Sequence, residues 1–364
     1  MTKNTYGKNI SLSIYGGSHD EEIGMHFSGF PANFTVDTDA LYAFLARRAP
    51  GSNPYGTPRA ERDQPHFLTG LDEFNRTTGA EIHAAIYNQN AHSADYSFIY
   101  DTPRPGHADY AALQKYGGRV DLRGGGHFSG RLTAPLCIAG GIALQYLAAK
   151  GICVQAHIAA IGGIKDAEIN TVCPDMMALR TASTHHLATI DSAAGEKMAA
   201  AILAARDAGD SLGGVVECIV TGLPVGIGTH MFDGAEGRIS AALFAIPAVK
   251  GVEFGAGFSA AIMTGSAHND AFVTDGKQIT TATNNAGGIL GGMTTGMPLV
   301  CRAAFKPTPS IAKTQQTVSL SRMENTTLAI KGRHDPCIVP RAVPVVEAAV
   351  ALALLDMLLD EETR

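Results

Sequence analysis

The sequence predicts an α+β fold, with helices laid across antiparallel strands around one shared core. Three observations predict it. Gly29-Phe30-Pro31 closes one strand-like run and Gly222-Leu223-Pro224 closes another. Each closure leads into a helical pattern, from near Asp39 to Arg47-Arg48 and from near Ala235 to Ile246, and then a glycine, Gly51 or Gly251. This is a faint internal repeat, with halves at roughly 7–150 and 205–356. Finally, 45% of the 364 residues are hydrophobic, only 17% are charged and 41 are glycine. Much surface is therefore expected to be buried, in a large core or between subunits. Length alone fits either two domains or one large one.

The elements follow in order. Gly24–Ser28 is the first strand and Asp39–Arg48 the first helix. Ala134–Val154 is apolar but carries Gln145, Lys150 and several glycines. It reads as a buried helix followed by a strand, and not as a membrane span. In the strand over Val215–Val220, Val215, Glu217 and Ile219 alternate with Val216, Cys218 and Val220. Gly255–Gly265 and Gly287–Gly296 exceed the usual loop length, and long loops are often functional. Val343–Leu359, interrupted by Glu347 and Asp356, reads as a core helix.

The net charge of −6 argues against nucleic acid or an anionic membrane as a partner. Any anion site must be a local cation cluster. Six scattered cysteines without C-x-x-C spacing read as free thiols in a reducing cytosol. The N-terminus lacks the apolar core of a signal peptide. A cytoplasmic protein is expected.

Five segments can carry chemistry. Residues 104–131 hold Arg104-Pro-Gly-His107-Ala-Asp109-Tyr110 and then Arg123-Gly124-Gly125-Gly126-His127-Phe128-Ser129-Gly130-Arg131. Arginine forks match phosphate and carboxylate oxygens. Glycines bring backbone N–H groups close to an anion, and a histidine moves protons near neutral pH. Tyr15-Gly16-Gly17-Ser18-His19-Asp20 puts His19 on a loop, where it serves as a proton donor or has a structural role. Thr283 to Gly292 pairs glycines around Ile289-Leu290, for contact with a ring or phosphate, or for tight strand packing. Phe305-Lys306-Pro307-Thr308-Pro309-Ser310 offers one cation and two hydroxyls to a phosphate. In Lys331-Gly332-Arg333-His334-Asp335, continuing to Arg341, Asp335 stays ionised beside Arg333. It is then either a proton acceptor or half of a structural ion pair. Gly255-Ala-Gly257 imitates a dinucleotide fingerprint without its acidic residue. The thirteen histidines offer no metal set, and no metal is expected.

In this order, the five segments resemble the chorismate synthase family. Gly209-Asp-Ser-Leu-Gly-Gly214 and Ala248-Val-Lys-Gly-Val-Glu253 add to the likeness, which runs from Gly7 to about Asp356. The resemblance implies a single βαβ sandwich domain with an internal pseudo-twofold repeat, assembled as a homotetramer. It implies a lyase that binds reduced FMN and 5-enolpyruvylshikimate 3-phosphate (EPSP). That enzyme eliminates phosphate and a ring proton in a trans-1,4 sense to give chorismate.

The resemblance also implies roles. His19 would protonate the departing phosphate, His107 would donate to the flavin's pyrimidine edge, and Asp335 would assist proton removal. Arg48, Arg104, Arg131 and Arg333 would grip the substrate. Lys306, Thr308 and Ser310 would hold the FMN phosphate end. Ala248, Gly291, His127, Ser129 and Arg333 would also contact the cofactor. The chain departs from the family pattern at Gly17, Asp20, Ala49, Pro54, His127, Phe128, Gly130, Leu132 and Pro247. A second reading is therefore a diverged paralogue with weakened or lost FMN binding, taking a related anion or acting as a non-catalytic assembly partner.

Overall fold

The computed structural model describes residues 5–51, 53–56, 63–88, 98–330 and 335–362. Strands β1 (Thr5–Tyr6), β2 (Ser11–Gly16), β3 (Glu22–Ser28), β4 (His66–Thr69) and β5 (Ile82–Tyr87) form an antiparallel sheet in the order β1-β2-β3-β5-β4. Helix α1 (Thr38–Arg48) follows β3, starting one residue before the predicted Asp39. The Asp37 side chain caps it by accepting from the Ala40 amide at 2.9 Å. Helix α2 (Asp109–Tyr116) is short, and α3 (Thr133–Ala149) is the predicted apolar helix.

The second sheet is also antiparallel. It uses β6 (Cys153–Ile161), β7 (Ile164–Lys165), β8 (Gly214–Thr221) and β9 (Val249–Phe254). Helices α4 (Met176–Ala182) and α5 (Ser192–Asp207) lie between β7 and β8 in sequence. Helix α6 (Ala235–Phe244) precedes β9 and ends two residues before the predicted Ile246. Gly255–Gly265 contains a 3-10 turn at Gly257–Ile262, followed by the single-turn helix α7 (Gly265–His268). Two hairpins come next, β10 (Phe272–Thr274) with β11 (Ile279–Thr281), and β12 (Ile289–Leu290) with β13 (Met293–Thr294). Strand β14 (Leu299–Phe305) completes the second sheet in the order β7-β6-β8-β14-β9. The hairpin of β15 (Gln315–Ser319) and β16 (Glu324–Leu328) precedes the long final helix α8 (Val339–Glu362).

Helices α1, α3 and α8 fill the space between the sheets, while Leu179 of α4 packs on Ile219 and Val300 of the second sheet's other face. Helix α3 packs on β2, β3 and β5, while α8 packs on β6 and β8; the two helices pack on each other and on α1. Strand alternation supplies both walls: Ile23, Met25 and Phe27 from the first sheet, and Val216, Cys218 and Val220 from the second. The α3–α8 crossing depends on Gly140, where an added Cβ would sit 2.3 Å from the Ala348 Cβ. Gly130–Ala149 and Val339–Glu361 are long and apolar enough to cross a membrane, yet 94% of the most apolar stretch of the second is buried inside the fold. Both are core helices, as their interrupting polar residues suggested.

The outer face of the second sheet carries a row of charges that its register aligns. His157 lies opposite Glu217, which lies opposite Arg302, which lies opposite Glu253. His157 Nδ1 faces Asp166 at 3.0 Å and Nε2 faces Glu217 at 3.2 Å. Arg302 donates to Glu217 at 2.8 Å and to Glu253 at 2.6 Å. Burial opposes a charge on His157, but hydrogen bonds to Asp166 and Glu217 outweigh it and raise its pKa. A raised folded pKa stabilises the protein fully below the ordinary value of 6.5. That contribution is lost as pH rises through the folded value, at up to about 1.4 kcal/mol per pH unit. Urea unfolding at pH 6 and pH 9 should therefore show a larger wild-type advantage over His157→Gln at pH 6. An equal advantage at both would mean the imidazole is neutral.

Candidate active site

A cavity of about 750 Å³ opens where α1, the 104–131 segment, the α6–β9 connection, the end of β14 and the start of α8 converge. It gathers most of the predicted residues. Arg48, Arg104, His107, His127, Ser129, Arg131, Ala248, Lys306, Thr308, Ser310 and Asp335 all line it.

Local folding places each group. Arg47 and Arg48 end α1, where cations complement the helix dipole. Arg47 turns to Glu347 of α8 at 2.7 Å, and Arg48 turns to the cavity. Gly124, Gly125 and Gly126 have φ of +59°, +91° and +51°. A Cβ on Gly126 would lie 1.9 Å from the Asp121 carbonyl oxygen, so only glycine closes this loop. Arg131 sits in the 3-10 turn entering α3, capped by the Ser129 hydroxyl at 3.2 Å.

Arg48 and Arg131 both donate to the buried carboxylate of Asp63. Arg48 also donates to Thr133 Oγ1 at 3.0 Å, and Arg131 to Asn88 Oδ1 at 3.2 Å. Nearby, Asp109 opens α2 with its side chain fully buried. Arg104 grips it through Nε at 2.7 Å and through a terminal nitrogen at 2.8 Å, and donates to Ser310 at 3.2 Å. His107 Nδ1 lies 2.6 Å from Asp109 Oδ1. Burial alone would raise the Asp109 pKa, but hydrogen bonds from Arg104 and His107 hold it well below the usual carboxylate range. An ionised carboxylate only accepts, so His107 carries its proton on Nδ1. Its Nε2 is turned toward Gly125, beside the triple glycine.

The other wall is cationic too. Lys306 donates to the Gly106 carbonyl, and burial together with Lys250 lowers its pKa. The Thr308 hydroxyl is buried with no hydrogen-bond partner among the described residues, although it lines the cavity. Ala248 is held at φ +76°, a strained conformation for a residue with a side chain. Asp335 pairs with Arg341 at 2.5 Å, and Arg341 also donates to the Arg48 carbonyl at 2.9 Å.

Two expected residues, His19 and Gly291, are not in the cavity lining. Ser18 and Gly124, neighbours of His19, do line it, and a Cβ on Gly124 would approach the His19 ring to 2.5 Å. Gly291 is not in the cavity of this chain. It turns the β12–β13 hairpin at φ +61°, and its neighbour Gly292 packs so tightly that a Cβ would meet the Thr229 carbonyl oxygen at 2.1 Å. Tight packing accounts for Gly292, whereas at Gly291 it is the positive φ that favours glycine. Arg333 lies outside the described residues. Phe128 both lines the cavity and packs on a small cluster of Ile99, Ala112 and Leu122.

Sequence reasoning gave Asp63, Asn88, Asp109, Thr133 and Arg341 no role. Asp109 and Arg341 stood inside quoted segments, so a search for carboxylates beside arginines would have found Asp109. Asp63 gave no such local signal.

An α+β sandwich whose cavity surrounds an aspartate-held histidine with arginines and lysines defines an enzyme acting on a polyanion. A family model of chorismate synthase matches residues 10–359, and the chain belongs to that family of phosphate-releasing carbon–oxygen lyases. It is 46% identical to a chorismate synthase of Lancefieldella parvula over 98% of this chain and 97% of that one. It is 46% identical to a chorismate synthase of Thermococcus kodakarensis over 97% of each. A crystal structure of chorismate synthase superposes with a TM-score of 0.76 at 27% identity, covering 98% of this chain and 93% of the other.

Proposed function

We propose that this protein converts EPSP to chorismate and phosphate by trans-1,4 elimination, with reduced FMN in the cavity. The observation that carries the reading is the pairing of His107 with Asp109 inside a ring of cations, in a chain whose net charge is −6. The substrate presents one phosphate and two carboxylates, which match Arg48, Arg131 and the lysines in charge.

The orphaned Thr308 hydroxyl and the neighbouring Lys306 fit a phosphate end, so the residues present suit FMN. When bound, reduced FMN supplies a transient loan of electron density that eases departure of the allylic phosphate. The chain does the rest. Lys306 and Thr308 would hold the cofactor's phosphate, Ser129 and His127 would contact the flavin, and His107 would move a proton through Nε2. Asp335, fixed by Arg341, takes part in proton removal. Arg104 supports His107 through Asp109 as well as facing substrate. His19 supplies a proton to the leaving phosphate from the loop against Gly124. We place the enzyme in the cytoplasm as a homotetramer of single-domain subunits, each built from two similar halves.

Titration with FMN, with and without EPSP, tests the reading. Flavin should bind in the presence of EPSP, and anaerobic assay with reduced FMN should release phosphate and chorismate together. Failure to bind flavin with EPSP present would overturn it.

A further inference from the structure

The Asp63 side chain has no exposed surface, and it meets two cavity arginines at once. One carboxylate oxygen accepts from Arg48 and the other from Arg131. These arginines come from different elements, the end of α1 and the turn before α3. Two guanidiniums converging on one wall repel each other unless a negative charge lies between them. Thr133 and the Gly130 carbonyl also accept from Arg48, and Asn88 from Arg131; these three acceptors carry no charge. Burial would favour a protonated Asp63, but the two arginines outweigh it and lower its pKa, so the carboxylate is ionised. Asp63 itself does not line the cavity.

We propose that Asp63 is a positioning residue, whose buried carboxylate holds Arg48 and Arg131 as a fixed pair facing one oxyanion of the bound substrate. This rests on the function proposed above. A pair fixed before binding loses little freedom when the substrate arrives, so the effect falls on affinity.

Asp63→Asn and Asp63→Ala test it in the full-length protein with EPSP and reduced FMN. The KM for EPSP should rise about tenfold or more in both, with kcat within about threefold of wild type. Added formate should lower the raised KM of Asp63→Ala by refilling the vacated site, and leave wild type unchanged. An unmoved KM in a folded variant, a loss confined to kcat, or no response to formate overturns the proposal. If both variants fail to fold, Asp63 belongs to the fold and not to the site, which also overturns it. A wild type that makes no chorismate sinks the proposed function and this inference together. An active wild type with unmoved variants sinks only the inference.

Discussion

His107→Ala should lower kcat for EPSP by about 10²–10⁴-fold, the loss expected when a positioned proton-transfer group is removed. The fold should survive, because His107 is a loop residue outside the hydrophobic core. Asp109 accepts from Nδ1 at 2.6 Å, which fixes the ring and leaves Nε2 as the working nitrogen. Alanine removes that nitrogen but leaves Arg104 paired with Asp109, so the arginine stays in place. EPSP affinity should therefore change far less than turnover. Asp109→Asn should also lower kcat, because an amide no longer selects the Nδ1–H tautomer. Adding His107→Ala to that variant should cost little more, since both changes act through one imidazole. Stopped-flow turnover with reduced FMN, alongside thermal unfolding, reads both. Unchanged kcat in a folded His107→Ala protein would remove His107 from the mechanism.

The parts legible in the sequence were those written locally. Periodicity gives α1 within one residue at its start, and the apolar run of α3 needs only its own composition. The α8 run begins four residues earlier than Val343, at Val339, because Pro344 sits in the helix without ending it. The arginine- and glycine-rich segments announced a polyanion site, and the fold brings most of them to one cavity. What the sequence hid are the partners that each charge finds across the chain. Asp63 reaches Arg131 and Arg341 reaches the Arg48 carbonyl over distances no spacing rule covers. The His157–Glu217–Arg302–Glu253 row exists only through strand register. A glycine at a hairpin turn and a glycine against a cofactor look alike in one dimension, and Gly291 stands at the β12–β13 turn, outside the lining of this cavity.

Asp356→Ala should destabilise the protein by roughly 3–5 kcal/mol, the range for breaking a buried charge pair from one side. In the sequence, Asp356 only interrupts an apolar helix; in the fold it is a latch. Its carboxylate accepts from the backbone amides of Lys8, Asn9 and Ile10 at 3.0, 2.7 and 2.9 Å. Arg238 of α6 donates to it as well, and Asn9 Nδ2 donates to its backbone oxygen at 2.8 Å. One side chain thus ties the β1–β2 turn and α6 to the central helix. Alanine would strand several donors around a position only 2% exposed, and each buried orphan costs about 1–3 kcal/mol unless water reaches it. Asp356→Asn keeps an acceptor oxygen but loses the charge facing Arg238, so its loss should be smaller. Equilibrium urea unfolding of the three proteins orders them wild type, Asn, Ala. A loss below about 1 kcal/mol for alanine would show that the amides find other partners, and that the turn is held by its apolar contacts. The α8 residues that line the cavity, Arg341, Ala342 and Val345, lie in the first turns of the helix and Asp356 near its far end, so turnover of the folded Asp356→Ala protein at low temperature should match wild type.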